Sequence, residues 1–219
     1  MGFWDMFRRA PAIWDIPALD DFIDRNAAFL IQKGMYEYSR ARAGHYAKVL
    51  MREPEFLAAI ETSRWKGFPL GLAMVGEMVE GKLRPAMGGE QRQQRAGLDA
   101  LMAMVMTIFD RYPVPPVLEP AAWEDARTDL SRRLDQIGLH PPKLVKDIPV
   151  PFAEAYFGLM PIHEKLRAAD FPAIRNYLRV SLINIHDELD KRLDVPPVAQ
   201  ALLAERAGGQ TCLSPSAAL

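Results

Sequence analysis

Apolar residues recur at spacings of three and four along almost the whole chain, and period-two alternation is nearly absent. From Pro17, the series Leu19, Phe22, Ile23, Ala27, Leu30 and Ile31 predicts a helix that Gly34 interrupts. A second stretch, 35–51, carries Tyr38, Ala41, His45 and Val49 loosely on one face. Pro54 suits the first turn of the next helix, where a missing N–H costs nothing. Phe56, Leu57 and Ile60 give that helix its stripe, and Gly67 and Pro69 predict its end. The run 70–79 is apolar but carries Gly71 and Gly76, which lower helical propensity and permit close packing.

After a loop at 85–89 the chain begins polar and turns almost wholly apolar from Leu98. A helix that is apolar all round is buried all round, so 98–109 is predicted as the central helix. The prolines at 113, 115 and 116 end it. Trp123, Leu130, Leu134 and Ile137 mark a further helix from Pro120 to Gly138, followed by an extended connector with prolines at 141, 142, 149 and 151. Phe152, Tyr156, Leu159, His163 and Leu166 predict a helix over 152–168. Asp170 is the expected N-cap of the closing helix, with Pro172 in its first turn and Ile174, Tyr177, Leu178, Leu182, Ile185, Leu189 and Leu193 on its apolar face. The fold class is therefore all-α: a single compact bundle of about seven helices over 16–207, an aromatic N-terminal arm over 1–15 and a disordered tail over 208–219. No fixed-period repeat is present.

Composition narrows the function classes. Twenty-seven Lys and Arg nearly balance 28 Asp and Glu, so there is no chain-wide basic field for nucleic acid. Local clusters at Arg40/Arg42, 92–95 and Arg132/Arg133 are interleaved with Glu37, Glu90, Asp129 and Asp135, the pattern of solvated helix faces. The lone cysteine, Cys212, excludes an internal disulfide and favours a reducing compartment. The longest apolar-rich run is interrupted by Asp99 and Thr107 and falls short of the roughly 20 residues of a membrane-spanning helix. Neither a secretory h-region nor a myristoylation motif follows Met1, so the expected location is cytoplasmic. Eleven methionines predict mainly core filling, with a Met-rich groove as the alternative.

Catalytic signals are sparse. Ser63-Arg-Trp-Lys66 has the Ser-x-x-Lys spacing that lets a lysine one turn away take a serine proton, but no companion motif accompanies it, and a solvent-facing helix end is the competing reading. His163-Glu164 and His186-Asp187-Glu188 border apolar stripes of helices expected to lie antiparallel. With Tyr156, they are the candidate pocket of a small helical enzyme such as a hydrolase; hydrogen-bonded structural histidines are the alternative. Neither His-Glu-x-x-His nor Glu-x-x-His occurs, so no metal or other cofactor is assigned. Phe3, Trp4, Phe7 and Trp14 with Arg8 and Arg9 join apolar anchors to positive charge, as in segments that lie on a membrane surface or dock onto a protein partner. The alternative is an arm folded back over the bundle. Nothing in the pattern specifies an oligomeric state.

Two stretches carry a family resemblance. Tyr36-Glu-Tyr-Ser-Arg-Ala-Arg-Ala-Gly-His-Tyr46 has spaced tyrosines and an arginine before a turn. Leu134-Asp-Gln-Ile-Gly-Leu139, then Phe152-Ala-Glu-Ala-Tyr-Phe-Gly158, then Asp170 and the closing helix form the second. Over residues 36–190 this pattern resembles the ubiquinol–cytochrome c chaperone family. The resemblance implies a helical assembly factor acting near the inner membrane on newly made cytochrome b. The leading expectation is thus a non-enzymatic helical binding or assembly protein, peripheral to the inner membrane, that engages a protein partner through the arm and a Met-rich groove.

Overall fold

The first helix begins one residue before Pro17 and runs far past Gly34. In the computed structural model, which describes residues 11–88 and 91–210, α1 spans Ile16–Ala43. Asp15 caps it, its carboxylate accepting from the Ala18 N–H at 2.9 Å and so satisfying a donor with no partner inside the helix. Gly34 does not break α1, because a Cβ at that position would fall on the Tyr156 hydroxyl and the Tyr177 ring. Both tyrosines use the space to donate to α1 carbonyls, those of Ile31 and Leu30. That packing outweighs the ~1 kcal/mol that glycine costs inside a helix. Gly44, at φ 52°, turns the chain into a 3₁₀ turn, Gly44–Tyr46, and the short α2, Ala47–Leu50.

The central helix is not 98–109 but the second half of α3, Pro54–Leu83. Every residue from Gly67 to Glu80 is buried, and the helix packs against α1, α4, α5 and α8. Gly67 and Pro69 therefore lie inside it rather than at its end. Unpaired backbone groups at a break there would be stranded in the core, where each is expensive. The glycines serve close approach: a Cβ at Gly71 would sit 2.7 Å from the Ala27 carbonyl oxygen of α1.

Next comes α4, Gln91–Asp110, which buries Leu98, Leu101, Val105, Ile108 and Phe109 but exposes Ala103 and Thr107. It is thus a one-faced helix rather than one buried all round. From α5, Pro120–Ile137, Trp123 stacks on Phe109 at 4.3 Å. The connector after it holds irregular chain at 141–144 between turns at 138–139 and 145–149, and ends in a 3₁₀ turn, Val150–Phe152, so it is not extended throughout. The single helix expected over 152–168 is two short ones, α6, Ala153–Gly158, and α7, Glu164–Arg167. Gly158 and Pro161 account for the break.

The last long helix, α8, spans Phe171–Arg192. Asp170 does not cap it through its side chain. Its carboxylate instead accepts from the Tyr38 hydroxyl at 2.7 Å and pairs with Arg42 at 3.0 Å, tying α1 to the start of α8. An unforeseen α9, Val195–Gln210, follows and packs on α4. Pro196 and Pro197 look like a stop, but they fall in its first turn, where proline is tolerated. Helix accounts for 78% of the structure, and there are no strands among the described residues. When abutting 3₁₀ turns are joined to their helices, there are eight helical stretches among the described residues, seven of them seven residues or longer. One apolar cluster, from Ile13 to Leu202, runs through all of these stretches except α7. Residues 211–219, most of the expected tail, lie outside the described residues, and α9 extends to Gln210.

Candidate functional site

Two glutamates one turn apart interrupt the buried half of α3. Glu77 is 4% exposed and Glu80 1%. A buried carboxylate needs a partner, because desolvation otherwise drives it to protonate. Glu80 has Arg84, one turn further on, as a close ion-pair and hydrogen-bond partner. Burial nevertheless holds its pKa above the ordinary 4.5, with Arg84 pulling the other way. The same guanidinium donates to the carbonyls of His140 at 2.8 Å and Ile137 at 3.2 Å. A buried carboxylate thus orients an arginine, and the arginine fixes the start of the connector.

Glu77 faces a different environment. Lys143 Nζ lies 2.8 Å from its Oε1 and His140 Nε2 lies 3.9 Å from it, both from the connector. The lysine contact is an ion pair without hydrogen-bond alignment, so Oε1 keeps an unused lone-pair direction. These groups line a cleft of about 390 Å³ whose other walls are Arg133, Gln136, Ile137, Leu139, Pro151 and Phe152. Arg133 is steered by Asp129, which accepts from its Nε at 2.7 Å, and its guanidinium lies 5.3 Å from the centre of the Phe152 ring.

The outer side of the connector is apolar. Leu139 is 75% exposed and Leu144 64%, and Val150 is also exposed. Arg179 of α8 donates to the Lys146 carbonyl at 3.0 Å, which brings the connector beside the outward Val180 and Ile183. Arg84, Lys143 and Arg179 therefore pin the segment at three places, and Ile148 and Val145 pack inward, while Leu139, Leu144 and Val150 point to solvent. Isolated exposed leucines are ordinary, but a group of them on a pinned segment beside an exposed helix face is the form an interaction surface takes.

The sequence candidates lie elsewhere. His163 is exposed at the N-cap of α7, its Nδ1 accepting from the Lys165 N–H at 3.3 Å, and Glu164 is exposed in the first turn. His186 lies fifteen residues along α8 from Phe171, roughly 22 Å by helix rise. There its Nε2 is 3.7 Å from Asp190, which also pairs with Lys82 of α3. Among the described residues, no hydrogen bond or ion pair joins the two histidines. Tyr156 is wholly buried and clamps α1. Ser63 is not at a solvent-facing helix end: it is buried within α3, and its hydroxyl donates to the Ala59 carbonyl rather than meeting Lys66. Among the described residues, no group of three His, Cys, Asp or Glu side chains could hold a metal ion.

Of the N-terminal arm, Phe3, Trp4, Phe7, Arg8 and Arg9 lie outside the described residues, as does Cys212. Trp14 is 61% exposed, while its neighbour Ile13 is buried and exchanges backbone hydrogen bonds with Arg192 and Asp194 at the α8–α9 junction. The methionines at 35, 74, 78, 87, 102, 104 and 160 are buried, while Met102 and Met106 line one surface cleft and Met104 another. Sequence reasoning overlooked Glu77, Glu80, Arg84, His140 and Lys143. The signal was available: two acids one turn apart in an otherwise apolar run, with an arginine four residues after the second. The chain matches no protein-family model, no curated protein and no solved structure.

Proposed function

We propose that this chain is a non-enzymatic helical binding protein whose docking face is the pinned connector, 139–150, together with the adjoining outer face of α8. The observation that carries this reading is the exposure of Leu139, Leu144 and Val150 on a segment anchored by Arg84, Lys143 and Arg179. Anchoring lowers the conformational entropy lost on docking. It also presents aliphatic side chains that gain free energy only when a partner covers them. The partner of choice is a protein segment with an apolar stripe. Lys143, Lys146, Arg175 and Arg179 around the face, against Asp147 and Glu154, favour one flanked by acids. Assembly of a respiratory-complex subunit, as the family resemblance implies, is the specific form of this reading. The test compares affinity isolation with wild type and with a Leu144→Glu/Val180→Glu double variant of unchanged helical content. Loss of a discrete partner is expected, and recovery of the same partners with both would contradict the docking face.

Peripheral membrane contact is a second reading, favoured by the tip between α1 and α3. Residues 40–52 contain Arg40, Arg42, Lys48 and Arg52 and no acid, and Tyr46 and Val49 are exposed there. Glu53 and Glu55 follow immediately, so attachment would be weak and salt-sensitive. No described helix is long and apolar enough to cross a membrane. Sedimentation with vesicles containing phosphatidylglycerol tests this. Binding that falls at least tenfold in Lys48→Glu/Arg52→Glu supports contact through the tip, and unchanged binding contradicts it.

A further inference from the structure

We infer that the cleft beneath the connector binds a small organic anion, a carboxylate or phosphate head on an apolar body. The cleft lies beneath the same connector and shares Leu139 with its outward face, but the inference rests on the cleft's own donors and does not depend on docking. Its volume of about 390 Å³ lies in the range of small-molecule sites. Its lining divides by chemistry. Ile137, Pro151 and Phe152 form apolar wall, whereas Arg133, His140 and Lys143 bring nitrogen donors to the same space.

One acid, Glu77, lines the cleft, and Lys143 balances it. That leaves Arg133 and His140 as the surplus donors. Asp129 engages Arg133 through its Nε and steers the guanidinium onto the Phe152 ring, as in a pre-oriented anion clamp. An ammonium has three donors, so Lys143 retains donors beyond its contact with Glu77. Glu77 itself is more than nine-tenths buried, and Oε1 keeps an unused acceptor direction. It holds part of the Lys143 charge and so competes with the anion for that ammonium. The anionic head would meet Arg133 and Lys143, with the body against Phe152.

The test is calorimetric titration of the full chain with benzoate, phenyl phosphate, inorganic phosphate and, as a neutral control, benzyl alcohol. Saturable binding of benzoate or phenyl phosphate at one per chain is expected, and the better of the two identifies the head. Arg133→Gln and Lys143→Gln should each weaken it at least tenfold, whereas Glu77→Gln should tighten it by releasing Lys143. If Lys143→Gln fails to fold, Arg133→Gln and Glu77→Gln carry the comparison. The inference is overturned by no saturable binding of either aromatic anion, by equal binding of benzyl alcohol, by inorganic phosphate binding as tightly as phenyl phosphate, or by affinities indifferent to the substitutions.

Discussion

A carboxylate buried in a helix must be paired or protonated, and Glu80 lies between these states. Its folded pKa is raised above 4.5, chiefly by burial. Its ionisation therefore opposes folding: the favourable contribution is complete below about pH 4.5 and is lost as pH rises through the higher folded value. Urea denaturation should show wild type gaining stability relative to Glu80→Gln as pH falls from 7 to 4.5, and a flat or opposite trend would contradict this. The partner arginine gives a complementary prediction. Arg84→Met strands the carboxylate and releases two connector carbonyls, and should cost about 3 kcal/mol. Glu80→Met in the same chain should restore most of that loss, because the stranded charge rather than the missing attraction dominates.

At the scale of elements, α3 is where propensity and packing disagree. Glycine to alanine inside a helix is favourable by about 1 kcal/mol on propensity alone. At Gly71 the new methyl would meet the Ala27 carbonyl oxygen at 2.7 Å, part of a backbone that cannot move aside cheaply. At Gly76 it would meet the Val105 side chain at 3.3 Å, which can shift. Gly71→Ala should thus lower the thermal midpoint well below that of Gly76→Ala, and equal midpoints would refute the close crossing of α1 and α3. The same residues explain what the sequence made legible. Apolar spacing gave α1, α5 and α8 their faces, because a surface helix writes its orientation in its pattern, whereas the run 98–109 of α4 was too apolar to show which side is exposed. The all-apolar half of α3 has no such face, and Gly67 and Pro69 resemble stops until burial forces the helix onward. Pro196 and Pro197 hid α9 in the same way. The cleft was illegible for another reason: Glu77 and Lys143 are 66 positions apart, and only tertiary packing brings them within 2.8 Å.

At the scale of the whole molecule, the bundle separates burial from display. Most of the methionines are inside, and the two candidate histidines engage different partners, His163 at the start of α7 and His186 beside Asp190 of α8. The connector is anchored by buried charge and by Ile148 while Leu139, Leu144 and Val150 face out. If it is the docking face, a photo-crosslinking residue placed there in cells must reach the partner. The decisive measurement places the crosslinker in turn at Leu144, at Val180 and at the exposed Glu124 of α5. The account predicts one adduct of the same mass from positions 144 and 180 and none from 124. No adduct from either 144 or 180, or equal adducts from all three positions, would contradict it.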